Sequence, residues 1–383
     1  MSNATERTGP LKGLLVLDFT MIISGPVSTQ LLHDNGARVI KVERTGVGDS
    51  IRPLGPMVDG KVGTIVAGLN GGKESLEANF KDPDDVAFLK RIIKKADIVV
   101  ENFRPGVMAK SGLDYDSVKD LNPALIYASI SGYGQAGPMH KAPAYDEVIQ
   151  GASGLMSVTG EPGGASLIAG CSVADAVTGM LTYAAIMTAC FAREKTGQGC
   201  HIDMSMLESL TMLLVEPVTS YAATGEIPTK HGNDHASATP FSSYATGGRE
   251  IVICIGGLGL WKELCAALGK EEWLERPEYA FPNAIHENKD KFRQELEAVL
   301  KTQDHNYWIE KLGAAGIPVS LVNNVEEAEK IEQHKFRKFF VETMGRHYSG
   351  NPLLLSNYPR ITERPDVPAL GAHNEQIRKE FAV

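Results

Sequence analysis

Along the first two hundred residues, short unbroken apolar runs alternate with longer stretches in which apolar residues recur every three or four positions. LLVLDF (14–19), ARVIKVE (37–43), DIVVEN (97–102) and ALIYASIS (124–131) have the length and composition of buried strands. Helical patterns lie between them. In SGPVSTQLLHDNGA (24–37), Ser24 reads as the N-cap, Pro26 sits in the first turn and Gly36 closes the helix. In KDPDDVAFLKRIIKK (81–95), Asp82 caps, Pro83 starts, Asp84 and Asp85 favour the positive helix end, and Val86, Leu89, Ile92 and Ile93 form the apolar stripe. YDSVKDLNPALIYASISGYG (115–134) predicts a third helix and its strand. Strands alternating with helices predict an α/β fold with a Rossmann-like, doubly wound parallel sheet and ligands at the carboxyl ends of the strands. Those ends carry TMIISGP, ERTGVGDSIRP, ENFRPG and SGYGQAGP, all rich in Gly or Pro.

The rhythm changes after REKTGQGCHIDMSMLESL (193–210). A long polar segment precedes a strand-like run, EIVICIGG (250–257), and helical patterns at 261–268 and 291–301. A further strand and helix follow in LGAAGIPVSLVNNVEEAEK (312–330). We expect residues 225–315 to form a small α+β domain. It would be inserted into a large one built from both chain ends, residues 1–224 and a C-terminal return at 316–383.

Composition narrows the function classes. The chain has 383 residues, 43% hydrophobic and 22% charged, which is the balance of a soluble globular protein. A formal net charge of -9 argues against nucleic acid as a partner. Five scattered cysteines without a CxxC pair read as reduced thiols, and the polar N-terminus lacks the apolar core of a signal peptide. The sequon at Asn3 is therefore expected to be empty, the expected compartment is the cytoplasm, and no membrane association is expected. The most apolar run, 180–192, is too short to span a bilayer.

Among candidate motifs, TGVGD (45–49) and GGLGLW (256–261) lack the spacing of a dinucleotide fingerprint or a Walker A loop, which removes the dehydrogenase reading. GGLGLW follows a strand directly, so it reads as a tight turn or a mobile flap. His231 and His235 read as solvated loop histidines rather than a zinc pair, and no GxSxG elbow is present. Arg44, Asn102, Phe103 and Arg104 sit at predicted strand ends, with Lys110 a turn or two further on. Arginine with backbone amides clamps phosphate, and Phe103 offers a flat face to a purine. Asp175 stands in IAGCSVADAVTGM (168–180), a carboxylate among small and apolar residues. It reads either as a helix N-cap or as a covalent nucleophile. For the second role Ala174, Ala176, Thr178 and Gly179 are small enough to let a substrate approach.

The order of the motifs then matters. LKGLLVLDFT…SGP…GARVIKVE, ADIVVENFRPG…GLDYDSVKDLNPALIYASISGYGQAGP, APAYDEVIQGASGLMSVTGEP and REKTGQGCHIDMSMLES resemble the family III CoA-transferases, from about residue 11 to the C-terminus. The likeness looks nearest to the acetyl-CoA:oxalate type. It implies an interlocked homodimer and CoA transfer from an acyl-CoA donor to a small carboxylic or dicarboxylic acid such as oxalate or succinate. It also implies aspartyl anhydride and aspartyl-CoA intermediates on Asp175, with the CoA thioester as substrate and no tightly bound cofactor or metal. By the same resemblance, CoA contacts fall on Arg44, Ala78, Asn79, Lys81, Asn102, Phe103, Arg104, Lys110 and Tyr145. Oxyanion and flap roles fall on Ser24, Gly25, Gly256, Gly257 and Gly259. Met21, Ile22 and Ile23 stand where formyl-CoA transferases have His-Val-Gln. AYD at 144–146 stands where the related alpha-methylacyl-CoA racemases place a catalytic His, which weakens the isomerase alternative. A non-catalytic CoA-binding protein is the other alternative.

Overall fold

The computed structural model describes residues 8–382, so the sequon at Asn3 lies outside the described residues. Six strands, β1 (Leu15–Asp18), β2 (Arg38–Arg44), β3 (Glu74–Ala78), β4 (Ile98–Glu101), β5 (Ile126–Ser131) and β6 (Cys200–Ser205), pair in parallel in the order β3-β2-β1-β4-β5-β6. The strand order reverses between β1 and β4, which opens a crevice at their carboxyl ends.

Successive strand residues face opposite sides, and each side has its own core. Leu17, Ile40, Leu76 and Val99 pack with Phe88, Leu89, Ile92 and Ile93 of α2 (Pro83–Ile93) and with Ile377 of the C-terminal helix Asn374–Glu380. Val16, Val39, Ile98 and Val100 pack on the other side with Leu32 of α1 (Ser24–Asp34), Ile149 of α3 (Asp146–Ser153), Ala174 and Ile186 of α4 (Val173–Thr196) and Leu210 of α5 (Met206–Leu213). Asp82 caps α2 as expected, accepting the Asp84 N–H at 2.9 Å. The expected third helix shrinks to one turn, Tyr115–Val118, and a 3-10 turn. Asn122 then donates to the Ala96 carbonyl at 2.7 Å, and Pro123 follows it.

Helix α4 has 24 residues and enough length and hydropathy to cross a membrane, more than the run at 180–192 suggested. In this fold Thr178, Gly179, Thr182 and Ile186 form part of its buried stripe. The exposed edge of β3 is covered by the chain's end. The Ser75 N–H donates to His373 Nδ1 at 3.1 Å and the Glu77 N–H to Asn374 Oδ1 at 2.7 Å.

The chain divides into two compact units. The first comprises residues 1–156, 168–226 and 332–383, and the second 157–167 and 227–331. The second unit has an antiparallel sheet of β7 (Phe241–Tyr244), β8 (Ile251–Cys254) and β9 (Val319–Leu321), over a core that includes Trp261, Trp273, Phe292 and Trp308. It runs further than the expected 225–315 because β9 pairs with β8, which keeps the chain in this sheet beyond residue 315.

Candidate active site

A cavity of about 310 Å³ lies at the reversal of strand order, and Asp175 is in its wall with Met21, Ser24, Asn102, Phe103, Arg104, His140 and Tyr145. Arg104 and His140 are the lining side chains that can carry positive charge. A second cavity of about 780 Å³ lies at the ends of β1, β2 and β3, with Arg44, Ala78, Asn79, Lys81 and Phe103 in its wall. Phe103 lines both. Its N–H donates to Glu101 Oε2 at 2.8 Å, and its ring meets Phe80 edge-on at 6.0 Å. Burial pushes the Glu101 carboxyl up to about 7, against hydrogen bonds from Ser129 and the Phe103 amide.

Asp175 is not the cap of its helix. Ser172 holds the N-cap position of α4 and Asp175 is the third helical residue, inside the first turn. Its N–H donates to Asp146 Oδ1 at 3.0 Å, while Asp146 Oδ2 accepts from Gln150 at 2.5 Å. Burial, then the charge of Asp146, lift the Asp175 carboxyl to about 6, opposed by hydrogen bonds from the Ser24 hydroxyl and amide.

Ser24, expected to cap α1, is instead its first helical residue, and Ile23 in the cap position offers no side-chain bond. Ser24 lines the same cavity as Asp175 and holds that carboxyl down against the effect of burial. Asn102 Nδ2 also donates to the Ser24 hydroxyl at 3.3 Å.

Ala174, Thr178 and Gly179 serve packing rather than substrate access, while Ala176 is half-buried. Ala174 and Thr178 are fully buried, and a Cβ on Gly179 would lie 2.5 Å from the Ser24 carbonyl. Gly179 is what lets the first turn of α1 sit against α4. Gly25 is likewise a packing glycine, since its Cβ would meet Thr20 Cβ at 2.3 Å.

Other predicted contacts separate by position. Asn102 lines the smaller cavity, but its amide is bound to the Met21 backbone, accepting at 2.8 Å and donating at 2.7 Å. Asn79 accepts from the Lys81 N–H at 3.1 Å in the turn before α2. Tyr145 is 64% exposed on the rim of the Asp175 cavity. Lys110 is exposed on the turn Ala109–Ser111 and lines neither cavity. In the second unit, Gly256 and Gly257 lie between β8 and α7 (Leu258–Leu268), and Gly259 is in the first turn of α7. A Cβ on any of them would meet nothing within 4 Å.

Sequence reasoning missed Asp146 and His140. Asp146 opens a helix in AYDEVIQ with Gln150 one turn on, a pairing at i and i+4 that the spacing could have revealed. His140 sits on a turn with Nδ1 2.6 Å from the Gly137 carbonyl, and only the fold brings that turn to the cavity. Among the described residues, no group of three or more His, Cys, Asp or Glu is placed to hold a metal ion.

The profile of CoA-transferase family III matches residues 11–374. The chain belongs to this family. It is 39% identical to an acetyl-CoA:oxalate CoA-transferase of Acetobacter aceti, over 98% of this chain and 96% of that one. It is 34% identical to a succinate–glutarate CoA-transferase of Agrobacterium fabrum, over 100% and 98%. The crystal structure of a CaiB/BaiF family protein from Brucella suis superposes with a TM-score of 0.88 at 32% identity, covering 98% of this chain and 100% of that one. As a family III CoA-transferase, the protein is an enzyme whose class uses CoA thioesters as substrates and needs no tightly bound cofactor.

Proposed function

We propose that this enzyme transfers CoA from an acyl-CoA donor to a small carboxylic or dicarboxylic acid, oxalate or succinate among the first to test, with Asp175 as covalent nucleophile. The observation that carries the reading is the placement of Asp175: a carboxylate in a helix's first turn, in the wall of a cavity at the strand-order reversal. The neighbouring larger cavity is lined by Arg44, Lys81 and Phe103, groups suited to a nucleotide's phosphates and purine.

The Asp175 carboxylate attacks the thioester carbonyl, and collapse of the tetrahedral intermediate expels CoA thiolate and leaves an aspartyl–acyl anhydride. The thiolate attacks the aspartyl carbonyl, the donor acid departs, and aspartyl-CoA remains. The acceptor carboxylate attacks that thioester and forms a second anhydride with release of thiolate. Attack of the thiolate on the acceptor's carbonyl gives the new acyl-CoA and frees Asp175. The Ser24 hydroxyl and amide orient the nucleophile and are available to an oxyanion once it has reacted. Arg104 and His140, the side chains in the wall of the Asp175 cavity that can carry positive charge, are the groups we assign to the carboxylates of the acids.

The glycines at 256, 257 and 259, where a Cβ would meet nothing within 4 Å, are candidates for a mobile flap by the family resemblance. We further propose an interlocked homodimer. Exposed Phe191, Met212, Val215 and Tyr221, between 55% and 68% accessible, supply an apolar face for a second copy. With its cysteines free, the chain suits the cytoplasm.

The test is chromatographic. Incubation with acetyl-, succinyl- or formyl-CoA and oxalate or succinate should yield the acceptor's CoA thioester in stoichiometric exchange. Deuterium uptake at the alpha carbon of a branched acyl-CoA, without transfer to any acid, would overturn it in favour of an isomerase.

A further inference from the structure

Three successive residues between β1 and α1 are held by side chains from elsewhere. Lys41 Nζ donates to the Thr20 carbonyl at 2.7 Å, and Asn102 binds both polar groups of the Met21 backbone. The Ile22 N–H lies 3.3 and 3.2 Å from the two oxygens of the Asp49 carboxylate. Lys41 and Asp49 are 3.3 Å apart, with side-chain exposures of 2% and 0%. Asp49 also accepts the Ile51 N–H at 3.2 Å, so the turn is tied to the loop after β2.

Ile22 has φ 68°, a left-handed conformation that a β-branched residue disfavours. Such a residue keeps that conformation only where its surroundings over-determine it. Here the surroundings are Lys41, Asp49 and Asn102. The consequence falls two residues on, where the chain enters α1 and Ser24 shares the wall of the Asp175 cavity.

We propose that Asp49 is a positioning residue for acyl transfer, with Lys41 as its buried counter-ion: by holding the Ile22 N–H, it fixes Ser24 in the cavity wall beside Asp175. Asp49 lies in the wall of the larger cavity and not in that of Asp175, so it acts through Ser24. The inference rests on Asp175 as nucleophile. Its essential feature is the acceptor on the Ile22 N–H rather than the charge of the pair.

Two double variants separate these. Lys41→Met/Asp49→Asn removes both charges and keeps an amide oxygen for the Ile22 N–H, and Lys41→Met/Asp49→Ala removes the acceptor as well. Removing both members of a buried ion pair is tolerated far better than removing one. The readout is the single-turnover rate of acylation of Asp175, with KM for acyl-CoA and the melting temperature measured alongside. The Asn double is expected within about threefold of the parent rate, and the Ala double about 100-fold slower, the scale of loss when a distant change misplaces a reacting group. KM should be nearly the same in both.

Equal rates in the two doubles, or a rate loss matched by an equal rise in KM, would overturn the positioning role. If either double fails to fold, Asp49→Asn alone serves. It is expected to keep the rate within about tenfold, and a 100-fold loss at unchanged melting temperature would contradict the proposal. If the parent enzyme forms no acyl adduct, the nucleophile reading itself fails. An adduct in the parent with both doubles alike refutes only the positioning role of Asp49.

Discussion

Burial and the Asp146 charge raise the Asp175 carboxyl to about 6, and the direction has two consequences. In the proposed nucleophilic role Asp175 must be ionised, so the rate of enzyme acylation should fall as pH drops below about 6, which stopped-flow measurement between pH 5 and 8 would show. Because the folded protein holds this proton more tightly than the unfolded chain, the stabilisation is complete below the ordinary carboxylate range and is lost as pH rises through about 6. Asp175→Asn should therefore abolish transfer yet stabilise the fold at pH 7 by on the order of 2 kcal/mol, with little gain at pH 4. Differential scanning calorimetry at the two pH values checks this. In the larger cavity, Arg44→Ala and Lys81→Ala should each weaken acyl-CoA binding by roughly 1–3 kcal/mol, whereas Lys110→Ala should leave it unchanged, as calorimetric titration would report. At this scale the sequence was partly legible. Asp175 stands out as a lone carboxylate among small residues, but those residues are small for helix packing. Lys41 and Asp49 gave no signal, because the backbone groups they bind belong to a turn whose shape local sequence does not encode.

Among the elements, the close pairing of α1 and α4 determines the site. Gly179 is the contact that allows it, one turn beyond Asp175. Gly179→Ala places a carbon 2.5 Å from the Ser24 carbonyl, a backbone atom that cannot swing aside. It should cost roughly 1–3 kcal/mol in a urea melt and reduce transfer with it, since Ser24 moves with its helix. Periodicity and capping chemistry made α2, β1, β2, β4 and β5 legible, and Asp82 caps as its position predicted. Ser24 misled because a serine followed by Pro26 has every local attribute of a cap. Its hydroxyl accepts from Asn102 on a distant segment of the chain, which no local pattern records.

For the whole molecule, strand alternation was enough to predict a doubly wound sheet, and the observed order places its crevice beside Asp175. The extent of the second unit was less legible, because the pairing of β9 with β8 joins segments more than sixty residues apart. The exposed apolar residues of α4, α5 and α6 (Val215–Thr224) carry the prediction about assembly. The chain should sediment as a dimer, and Met212→Asp with Tyr221→Asp should give monomer or aggregate. A parent chain that sediments as a monomer at micromolar concentration would exclude the interlocked dimer.

The most direct test of the central claim is peptide-mapped mass spectrometry of the enzyme mixed with acetyl-, succinyl- or formyl-CoA and trapped with hydroxylamine. A donor-dependent mass change confined to the peptide bearing Asp175, and missing from Asp175→Asn, is the predicted result. Active turnover with that peptide unmodified by every donor would contradict the account.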